Sequence, residues 1–265
     1  MRAPDHSSSA QAARQLVHAW AAGDPIRDLP GACRPQHIAD GYAIQALWPT
    51  LLDQPVAGWK IAATSEAGQK HIAVSGPLAG PVFAHRVHSP GVPISLEHNR
   101  MRVAECEVVF HFAQSLIPRP YSYSRSEVLA ALAAVGPGIE VPDSRFLHFE
   151  CAGAAQLTAD CACTNDMVLG TPVALDARLE QLAGLSVRAE VSDGRIATGS
   201  GRNVMGDPVE AVVWLVNELG RAGQTLGAGQ FVTTGTCMPP LAIAPGDRVV
   251  ADFGVLGQVS AAFTA

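Results

Sequence analysis

Two glutamates share one apolar stretch of the chain. Glu105 and Glu107 lie within the segment RVAECEVVF (102–110), which otherwise has the character of a buried β-strand. Residues two apart on a strand point to the same face, so both carboxylates would project together, roughly 7 Å apart along the backbone. Carboxylates placed in this way repel each other unless one takes a proton or a cation lies between them. The spacing indicates a cation site, and it fits equally a half-exposed sheet with one solvated face.

A third acidic residue could complete such a site. Glu140 lies in the apolar, strand-like segment GPGIEVPDS (136–144), and Asp143 in the same segment is the reserve candidate. Carboxylate oxygens suit a hard divalent ion such as Mg²⁺ or Mn²⁺. Three protein ligands would leave open positions on the ion for a substrate.

A lysine in an apolar segment is the second unusual feature. Lys60 lies between Trp59 and Ile61 in AGWKIAATS (57–65). The pKa of a buried lysine shifts readily, and such a group can bind a carboxylate or move a proton. The alternative is a lysine on an edge strand whose ammonium reaches water.

The surrounding elements predict an α+β fold. Strands outnumber helices and do not alternate with them, which argues against a doubly wound sheet. Helices are predicted at 9–22, 35–48, 124–135 and 206–220, and strands at 58–63, 102–113, 185–199, 230–237, 241–253 and 256–263. The last helix has Asp207 as N-cap, Pro208 in its first turn and Gly220 as its stop signal. SDG and PGD are predicted hairpin turns.

Composition excludes several classes of function. The chain has 265 residues, of which 48% are apolar and 16% charged, so it can bury a sizeable core. A net charge of −6 without a basic block argues against nucleic acid as a partner. No apolar run approaches the roughly 20 residues of a membrane span, and no signal peptide is recognisable, so we expect a cytoplasmic protein. The six cysteines form no CxxC pair, and CAC (161–163) is either a soft-metal or redox pair or two small buried residues.

Several motifs together resemble one known family. In chain order they are GWKIAATS, LAGPVF, RVAECEVVF, IEVPDSR, TADCA, the long segment GDPVEAVVWLVNELGRAGQTLGAGQFVTTG and APGDRVVADFGVLGQVSAAF. Their order and spacing resemble the 2-keto-4-pentenoate hydratase and 4-oxalocrotonate decarboxylase branch of the fumarylacetoacetate hydrolase superfamily. The resemblance extends from about residue 35 to the C-terminus.

This resemblance implies a mixed β-roll with a small helical N-terminal region. The expected division is an N-terminal region, 1–75, which carries the lysine strand, and a metal-binding catalytic domain, 76–265. The resemblance further implies that Mg²⁺ or Mn²⁺ is held by Glu105, Glu107 and Glu140. It assigns the active-site lysine to Lys60 and assigns substrate contacts to a set that comprises Lys60, Arg145, Asp160, Thr234 and Gly235.

The implied activity is that of a lyase. It would add water to a 2-hydroxy-2,4-dienoate, a small 2-oxo acid in its dienol form, to give a 4-hydroxy-2-oxo acid, as in aromatic meta-cleavage catabolism. The alternatives are a 2-oxo acid decarboxylase or C–C hydrolase on the same scaffold, and a non-catalytic partner subunit. The resemblance also implies a homo-oligomer, with a paralogous decarboxylase as a further candidate partner.

The chain departs from the hydratase pattern at three places. Leu78 and Cys161 stand where the hydratases carry an aspartate and an asparagine, and TTGTCMPP replaces their Gly-Ala-Leu-Gly-Pro type of segment. His71 and His85 are close enough in sequence to substitute for the missing groups, and both also fit surface or structural histidines.

Overall fold

The computed structural model describes residues 6–265, apart from the side chains of residues 6 and 177–179. Its α-helices are α1 (His6–Ala22), α2 (Ile38–Gln45), α3 (Trp48–Leu52), α4 (Glu66–His71), α5 (Arg125–Ala130), α6 (Ala154–Ala159) and α7 (Pro208–Arg221). Its strands are β1 (Val56–Ala62), β2 (Leu78–Phe83), β3 (Val87–His88), β4 (Pro93–Ser95), β5 (Val103–Phe112), β6 (Leu132–Val141), β7 (Asp166–Leu169), β8 (Val173–Ala174), β9 (Ser186–Val191), β10 (Ile196–Ser200), β11 (Phe231–Thr236), β12 (Leu241–Ala242), β13 (Arg248–Asp252) and β14 (Gln258–Thr264). Short 3₁₀ turns connect several of them, and the α+β prediction is confirmed.

The strands form two sheets. The nine-stranded sheet runs in the order β2-β1-β11-β5-β6-β7-β3, with β12 also pairing with β5 and β8 with β6. The five-stranded sheet runs β10-β9-β13-β14-β4. In the larger sheet, β5 lies between β11 and β6 and is antiparallel to both. Strand β1 pairs in parallel with β11, which brings the predicted lysine strand within two strands of the glutamates.

One apolar cluster joins the two sheets to helix α7. Alternate residues of β9, β13 and β14 are buried, as expected for strands with one face on a core. Helix α7 buries Val209, Val212 and Leu215 in the same cluster. The Asp207 carboxylate caps this helix by accepting a hydrogen bond from the Val209 amide at 2.9 Å, as predicted. The helix continues through Gly220 to Arg221, and Gly223, at φ +71°, follows its end.

The N-terminal helices pack on the edge of the nine-stranded sheet. Trp48 stacks on Phe83 of β2 with ring centroids 6.2 Å apart, and Trp20 lies 5.7 Å from Trp48. These rings belong to a second apolar cluster that holds α1, α2 and α3 against the sheet.

Two predicted elements differ from the structure. The helix predicted at 124–135 ends at Ala130, and the chain then enters β6, which pairs with β5 over most of its length. The segment LAALAAV favours a helix locally, but burial between β5 and β7 overrides that propensity. The helix predicted at 35–48 is divided into α2 and α3, because Pro49 lies in the first turn of α3 rather than after a helix end.

The two predicted hairpin turns have different outcomes. SDG closes the antiparallel hairpin between β9 and β10, as predicted. The turn at Pro245–Asp247 does not close a hairpin, since β12 before it pairs with β5 and β13 after it pairs with β9 and β14. It leads the chain from one sheet to the other.

The predicted boundary at residue 75 stays a prediction. Strand β1, which precedes that boundary, lies inside the nine-stranded sheet between β2 and β11. Within residues 6–265, no helix combines the length and the apolar character needed to cross a membrane.

Candidate metal centre and active site

Three carboxylates converge from two neighbouring strands. Glu105 and Glu107 are on β5, and Glu140 lies directly opposite Glu105 on antiparallel β6. One oxygen of each carboxylate lies within 4.8 Å of the others. Glu107 is 0% exposed and Glu140 2% exposed, and Glu105 is partly buried. The opposite face of β5 is apolar and buried at Ala104, Cys106 and Val108, but Glu107 on the acidic face is buried as well, so the solvated-face interpretation does not hold.

A bulge in β11 orients Glu107. The pairing of β11 with β5 shifts between Thr233 and Thr236, so that one extra residue is accommodated there. As a result, the Thr233 hydroxyl and the Gly235 amide both donate to Oε2 of Glu107, the latter at 2.8 Å. Gly235 has φ +93°, and a Cβ there would lie 2.1 Å from Oγ1 of Thr64. Only glycine fits this position, and it fixes one oxygen of the carboxylate.

Three further oxygens of Glu107 and Glu140 have no well-aligned hydrogen-bond donor. Oε1 of Glu107 and both oxygens of Glu140 are buried and accept no well-aligned hydrogen bond in the described part of the chain, although Oε1 of Glu140 is ion-paired with Lys60. Buried acceptors without donors are uncommon and costly. Converging oxygens without donors are the ligand set that Mg²⁺ or Mn²⁺ prefers, so the residues present fit the expected ion.

Burial also raises the pKa of these carboxyl groups. Burial and the nearby charge of Glu140 raise the pKa of Glu105 to about 7, despite the opposing effect of Lys60. The pKa of Glu107 is raised well above its usual range, first by burial and then by the charges of Glu140 and Glu105. Burial raises the pKa of Glu140 as well. Without a cation, the cluster therefore favours bound protons near neutral pH.

Lys60 is the cation that the chain itself contributes. Its Nζ lies 3.1 Å from Oε1 of Glu140 and donates a 2.8 Å hydrogen bond to the carbonyl of Ala162. The residue is only 2% exposed, so the alternative of a lysine that reaches water is wrong. Burial lowers the pKa of Lys60, but the charges of Glu140 and Glu105 raise it by more, and the net shift is upward. Three ionised carboxylates, one divalent cation and this ammonium would together be neutral.

The carbonyl that accepts from Lys60 belongs to an unusual turn. Cys161, Ala162 and Cys163 have φ values of 52°, 51° and 62°, so three consecutive non-glycine residues adopt the left-handed conformation. Each such residue costs roughly 1–2 kcal/mol relative to right-handed backbone. We call residues 161–163 the left-handed turn. Burial raises the pKa of the Cys163 thiol to about 12, so it is a neutral thiol, and CAC has the character of small buried residues.

Arg145 and Asp160 were predicted to bind substrate, and the structure pairs them with each other. They form a buried ion pair in which Nε of Arg145 donates to Asp160, and the other guanidinium nitrogens donate to backbone carbonyls. The hydroxyl of Ser144 also donates to the Asp160 carboxylate at 2.7 Å. These polar groups already have protein partners, so the structure does not favour a direct contact with substrate, and that assignment stays a prediction.

The other predicted residues have structural partners. Thr234 donates its hydroxyl to the Val108 carbonyl at 3.0 Å, on the side of β11 away from Glu107. The carboxylate of Asp143, the reserve ligand, accepts from the amides of Arg100 and Met101 and is outside the carboxylate cluster. Thr233, which was not among the residues predicted from the sequence, contacts Glu107 instead of Thr234.

The histidines considered as substitutes for the missing aspartate are outside the cluster of three carboxylates and contact aromatic rings. His85 packs against Trp20 and Phe83, and His71 lies edge-on to Phe149. Leu78 is buried in an apolar cluster with Ala162 and Cys163, beside the left-handed turn. Within the described residues, the cluster of Glu105, Glu107 and Glu140 is the metal-ligand group that the geometry brings together.

The raised pKa values predict how pH affects metal binding. An unfolded glutamate has a pKa of about 4.3, so the folded metal-free protein holds extra protons between about pH 4.3 and 7. The stability that these protons give is present at low pH and is lost as the pH rises toward 7. A metal ion must displace the protons, which weakens binding roughly tenfold per proton for each pH unit below the pKa. We expect the gain in melting temperature from Mg²⁺ to be larger at pH 7.5 than at pH 5.5, and a gain independent of pH would contradict the buried cluster.

Comparisons with known proteins agree with this geometry. The family profile described as "Fumarylacetoacetate (FAA) hydrolase C-terminal" matches residues 57–264. The chain is 30% identical over 264 residues to a 2-keto-4-pentenoate hydratase of Burkholderia vietnamiensis, which covers 98% of this chain and 99% of that protein. It is also 30% identical over 232 residues to a 2-hydroxyhexa-2,4-dienoate hydratase of Comamonas testosteroni, covering 86% of both.

A solved structure matches along the whole chain. The 4-oxalocrotonate decarboxylase from Pseudomonas putida G7, complexed with magnesium and adipate, superposes with a TM-score of 0.87 at 25% identity. The match covers 99% of this chain and 100% of that one. This similarity confirms the prediction of a mixed β-roll with a small helical N-terminal region.

Proposed function

Because the chain belongs to the fumarylacetoacetate hydrolase family, we propose that it is a metal-dependent hydratase of small 2-hydroxy-2,4-dienoic acids. The reaction adds water to the dienoate, in its 2-oxo-4-enoate form, and gives a 4-hydroxy-2-oxo acid. The observation that carries the proposal is the buried cluster of three carboxylates, whose free oxygens converge beside Lys60. The hydratases among its relatives and the magnesium in the decarboxylase complex support the same activity and the same kind of ion.

Each residue of the cluster has a distinct task in this proposal. Glu105, Glu107 and Glu140 would hold Mg²⁺ or Mn²⁺, which when bound supplies Lewis-acid stabilisation of negative charge on the substrate's 2-oxygen. Thr233 and Gly235 hold one oxygen of Glu107, and its other oxygen, which has no donor, would be left to bind the ion.

Lys60 would act on the substrate rather than on the ion. Its ammonium has three protons, and the Ala162 carbonyl and the Glu140 carboxylate occupy only two directions. The third is available to a substrate carboxylate. The positive charge of Lys60 also offsets the negative charge that an anionic substrate adds beside the three carboxylates.

A second candidate activity is decarboxylation. The decarboxylase of Pseudomonas putida G7 shares the fold along the whole chain, and Leu78 supplies no carboxylate where the hydratases carry an aspartate. Loss of CO2 from a 2-oxo acid also develops negative charge that a divalent ion stabilises, so the same cluster could serve both reactions.

One experiment separates the two activities. The Mg²⁺-loaded protein is incubated with 2-hydroxypenta-2,4-dienoate and, separately, with 4-oxalocrotonate, and the products are identified by NMR. We expect a 4-hydroxy-2-oxo acid from the first compound and no CO2 from the second. Release of CO2 would favour the decarboxylase. A lack of product from both would favour the non-catalytic partner subunit.

Position 78 gives a prediction about the missing carboxylate. Leu78 lies opposite Ala62 on β1 and contacts the left-handed turn that binds Lys60. If an acid–base group is missing there, Leu78→Asp should raise hydration of 2-hydroxypenta-2,4-dienoate about 10²-fold, the low end of general acid–base effects. Leu78→Asn is the matched control, because it loses the same apolar burial without adding a carboxylate. Slower hydration by the Asp variant than by the Asn variant would place the acid–base role elsewhere.

Assembly and compartment are part of the proposal. We propose a homo-oligomer located in the cytoplasm, with the resemblance to the family as the support. Light scattering at micromolar concentration should give a mass that is a multiple of 27.6 kDa, and a monomer would contradict the assembly.

A further inference from the structure

We infer that the left-handed turn, anchored by the Arg145–Asp160 ion pair, is the device that positions Lys60 for the reaction. Arg145 and Asp160 are then positioning residues, which act through the turn rather than on the substrate. The part of the inference that concerns catalysis rests on the proposed function, whereas the part that concerns the placement of Lys60 does not.

Arg145 holds the turn at both ends. Its guanidinium donates to the carbonyl of Asp160, just before the turn, and to the carbonyl of Thr164, just after it, at 2.6 Å. It also donates to the carboxylate of Asp160, the residue that directly precedes the turn. The amide of Asp143 donates to the Cys163 carbonyl at 3.0 Å. These bonds stabilise a backbone conformation that three non-glycine residues would otherwise avoid.

The turn leaves one carbonyl for Lys60. The Cys161 carbonyl accepts from the Thr164 amide at 3.0 Å within the turn itself, and the Cys163 carbonyl accepts from Asp143. The Ala162 carbonyl between them accepts from Nζ of Lys60. The left-handed conformation thus directs this carbonyl at the ammonium, which is also paired with Glu140.

The turn is seated directly on the strand pair that carries Lys60. Gly80 on β2 is the register partner of Lys60 on β1. A Cβ on Gly80 would lie 2.0 Å from the carbonyl oxygen of Cys161 and 2.6 Å from its carbonyl carbon. The backbone of the turn therefore approaches β2 as closely as a glycine allows, and any side chain at position 80 must displace the turn.

Fixing the ammonium matters because a lysine side chain is long and flexible. Free in a cavity, Nζ would sample many positions, and holding a reacting group in one geometry is a large part of catalysis. Two fixed partners, the Ala162 carbonyl and the Glu140 carboxylate, restrict Nζ to one place. Without the carbonyl partner, the charged ammonium would stay in the site, but its position would no longer be fixed.

The test displaces the turn while Lys60 itself is left unsubstituted. Gly80→Ala introduces the clash with Cys161, and Gly201→Ala is a matched control, since a Cβ at Gly201 would lie 1.8 Å from the Leu182 carbonyl oxygen in another region. Both variants carry a similar backbone clash, so a general loss of stability would affect them alike. Arg145→Lys is the second variant, because lysine keeps the charge but cannot bridge both ends of the turn.

The first readout is independent of catalysis. The chain has two lysines, Lys60 and Lys70, so ¹⁵N-lysine NMR of the metal-free protein gives two ammonium signals, of which exposed Lys70 is the internal reference. We expect a Lys60 signal protected from solvent exchange in the wild type and in Gly201→Ala. The signal should be shifted or lost in Gly80→Ala and in Arg145→Lys. The introduced lysine of Arg145→Lys gives a third ammonium signal, which is identified by its persistence in the double variant Arg145→Lys/Lys60→Met. An unchanged Lys60 signal in either folded variant would overturn the inference.

The second readout is a kinetic cycle. With Mg²⁺ bound, we expect Gly80→Ala to lower kcat at least tenfold with little change in KM, and Gly201→Ala to change kcat less than twofold. In a Lys60→Met background, Gly80→Ala should have no further effect, because the turn acts through Lys60. Additive losses would overturn the inference. A wild type that shows the protected signal but no activity would reject only the proposed function.

Discussion

Glu107→Gln is expected to abolish the gain in melting temperature that Mg²⁺ or Mn²⁺ gives the wild-type protein. An ion at 100 times its Kd stabilises the native state by about 2.7 kcal/mol, which for a chain of this size is a gain of roughly 5–10 °C. The substitution should remove nearly all of it, because the ion loses the only carboxylate of the three that is fixed by two hydrogen bonds.

The geometry makes this substitution unusually selective. In the wild type, the Thr233 hydroxyl and the Gly235 amide donate to Oε2 of Glu107, and a glutamine carbonyl can accept both bonds. The amide nitrogen then replaces Oε1, which accepts no hydrogen bond from the residues that the structure describes. A ligand oxygen is thus exchanged for a donor, which cannot bind a cation. The metal-free protein should melt at the wild-type temperature or above it, since one buried acidic group has been removed.

Thermal melts with and without EDTA, followed by repletion with Mg²⁺ or Mn²⁺, measure this effect. Glu190→Gln is the matched control: the same change on the exposed face of β9, where its ion pair with Arg188 contributes little. It should leave the metal-induced gain intact. If Glu107→Gln keeps the gain, or if EDTA and repletion leave the melting and activity of the wild type unchanged, the cluster does not hold a metal.

The sequence was informative where the chemistry is local to one strand. Glu105, Glu107 and Lys60 could be selected because charged residues in apolar strands need partners, and the structure brings all three together with Glu140. The roles of these residues stay predictions until the variants are measured. The general fold was also predictable, since the strand-rich pattern is α+β and the motifs resemble one family.

What sequence could not reveal depends on pairing across the sheets. The helix predicted over 124–135 hid strand β6, whose register with β5 sets Glu140 opposite Glu105. The role of Thr233 depends on a bulge in the pairing of β11 with β5, which is defined only once the two strands are paired. A threonine in a buried strand, followed by Thr-Gly, was the only local signal.

The left-handed turn and its anchor were equally hidden. Cys-Ala-Cys contains no glycine or asparagine, the residues that usually mark left-handed backbone. Its conformation depends on Arg145, which is bound to both flanking carbonyls from another segment. The sequence therefore predicted that Arg145 and Asp160 contact the substrate. In the structure, both residues are buried and hydrogen-bonded to the backbone and to each other.

Lys60→Met is expected to lower kcat/KM by about 30-fold to roughly 10³-fold, which corresponds to a loss of about 2–4 kcal/mol of transition-state stabilisation. The reason is charge: with Mg²⁺ bound, three carboxylates leave the site negative, and an anionic substrate or a developing enolate would enter it without a counter-charge. Lys60 is the cation next to Glu140, and it lies in a site from which water is largely excluded. Methionine has a similar length and no charge, so packing is kept while the electrostatic contribution is lost.

Metal binding and folding should survive Lys60→Met, which separates this prediction from the one for Glu107. The metal ion replaces the lost positive charge among the carboxylates, so the metal-loaded variant should melt within a few degrees of the wild type, with its gain from Mg²⁺ retained. Lys70→Met is the matched control, because Lys70 is the only other lysine and is exposed on α4. Steady-state kinetics with 2-hydroxypenta-2,4-dienoate and melts with and without Mg²⁺ measure both effects. Wild-type activity in Lys60→Met would show that another group balances the charge of the substrate. A loss of metal binding in the same variant would show that Lys60 supports the ion rather than the substrate.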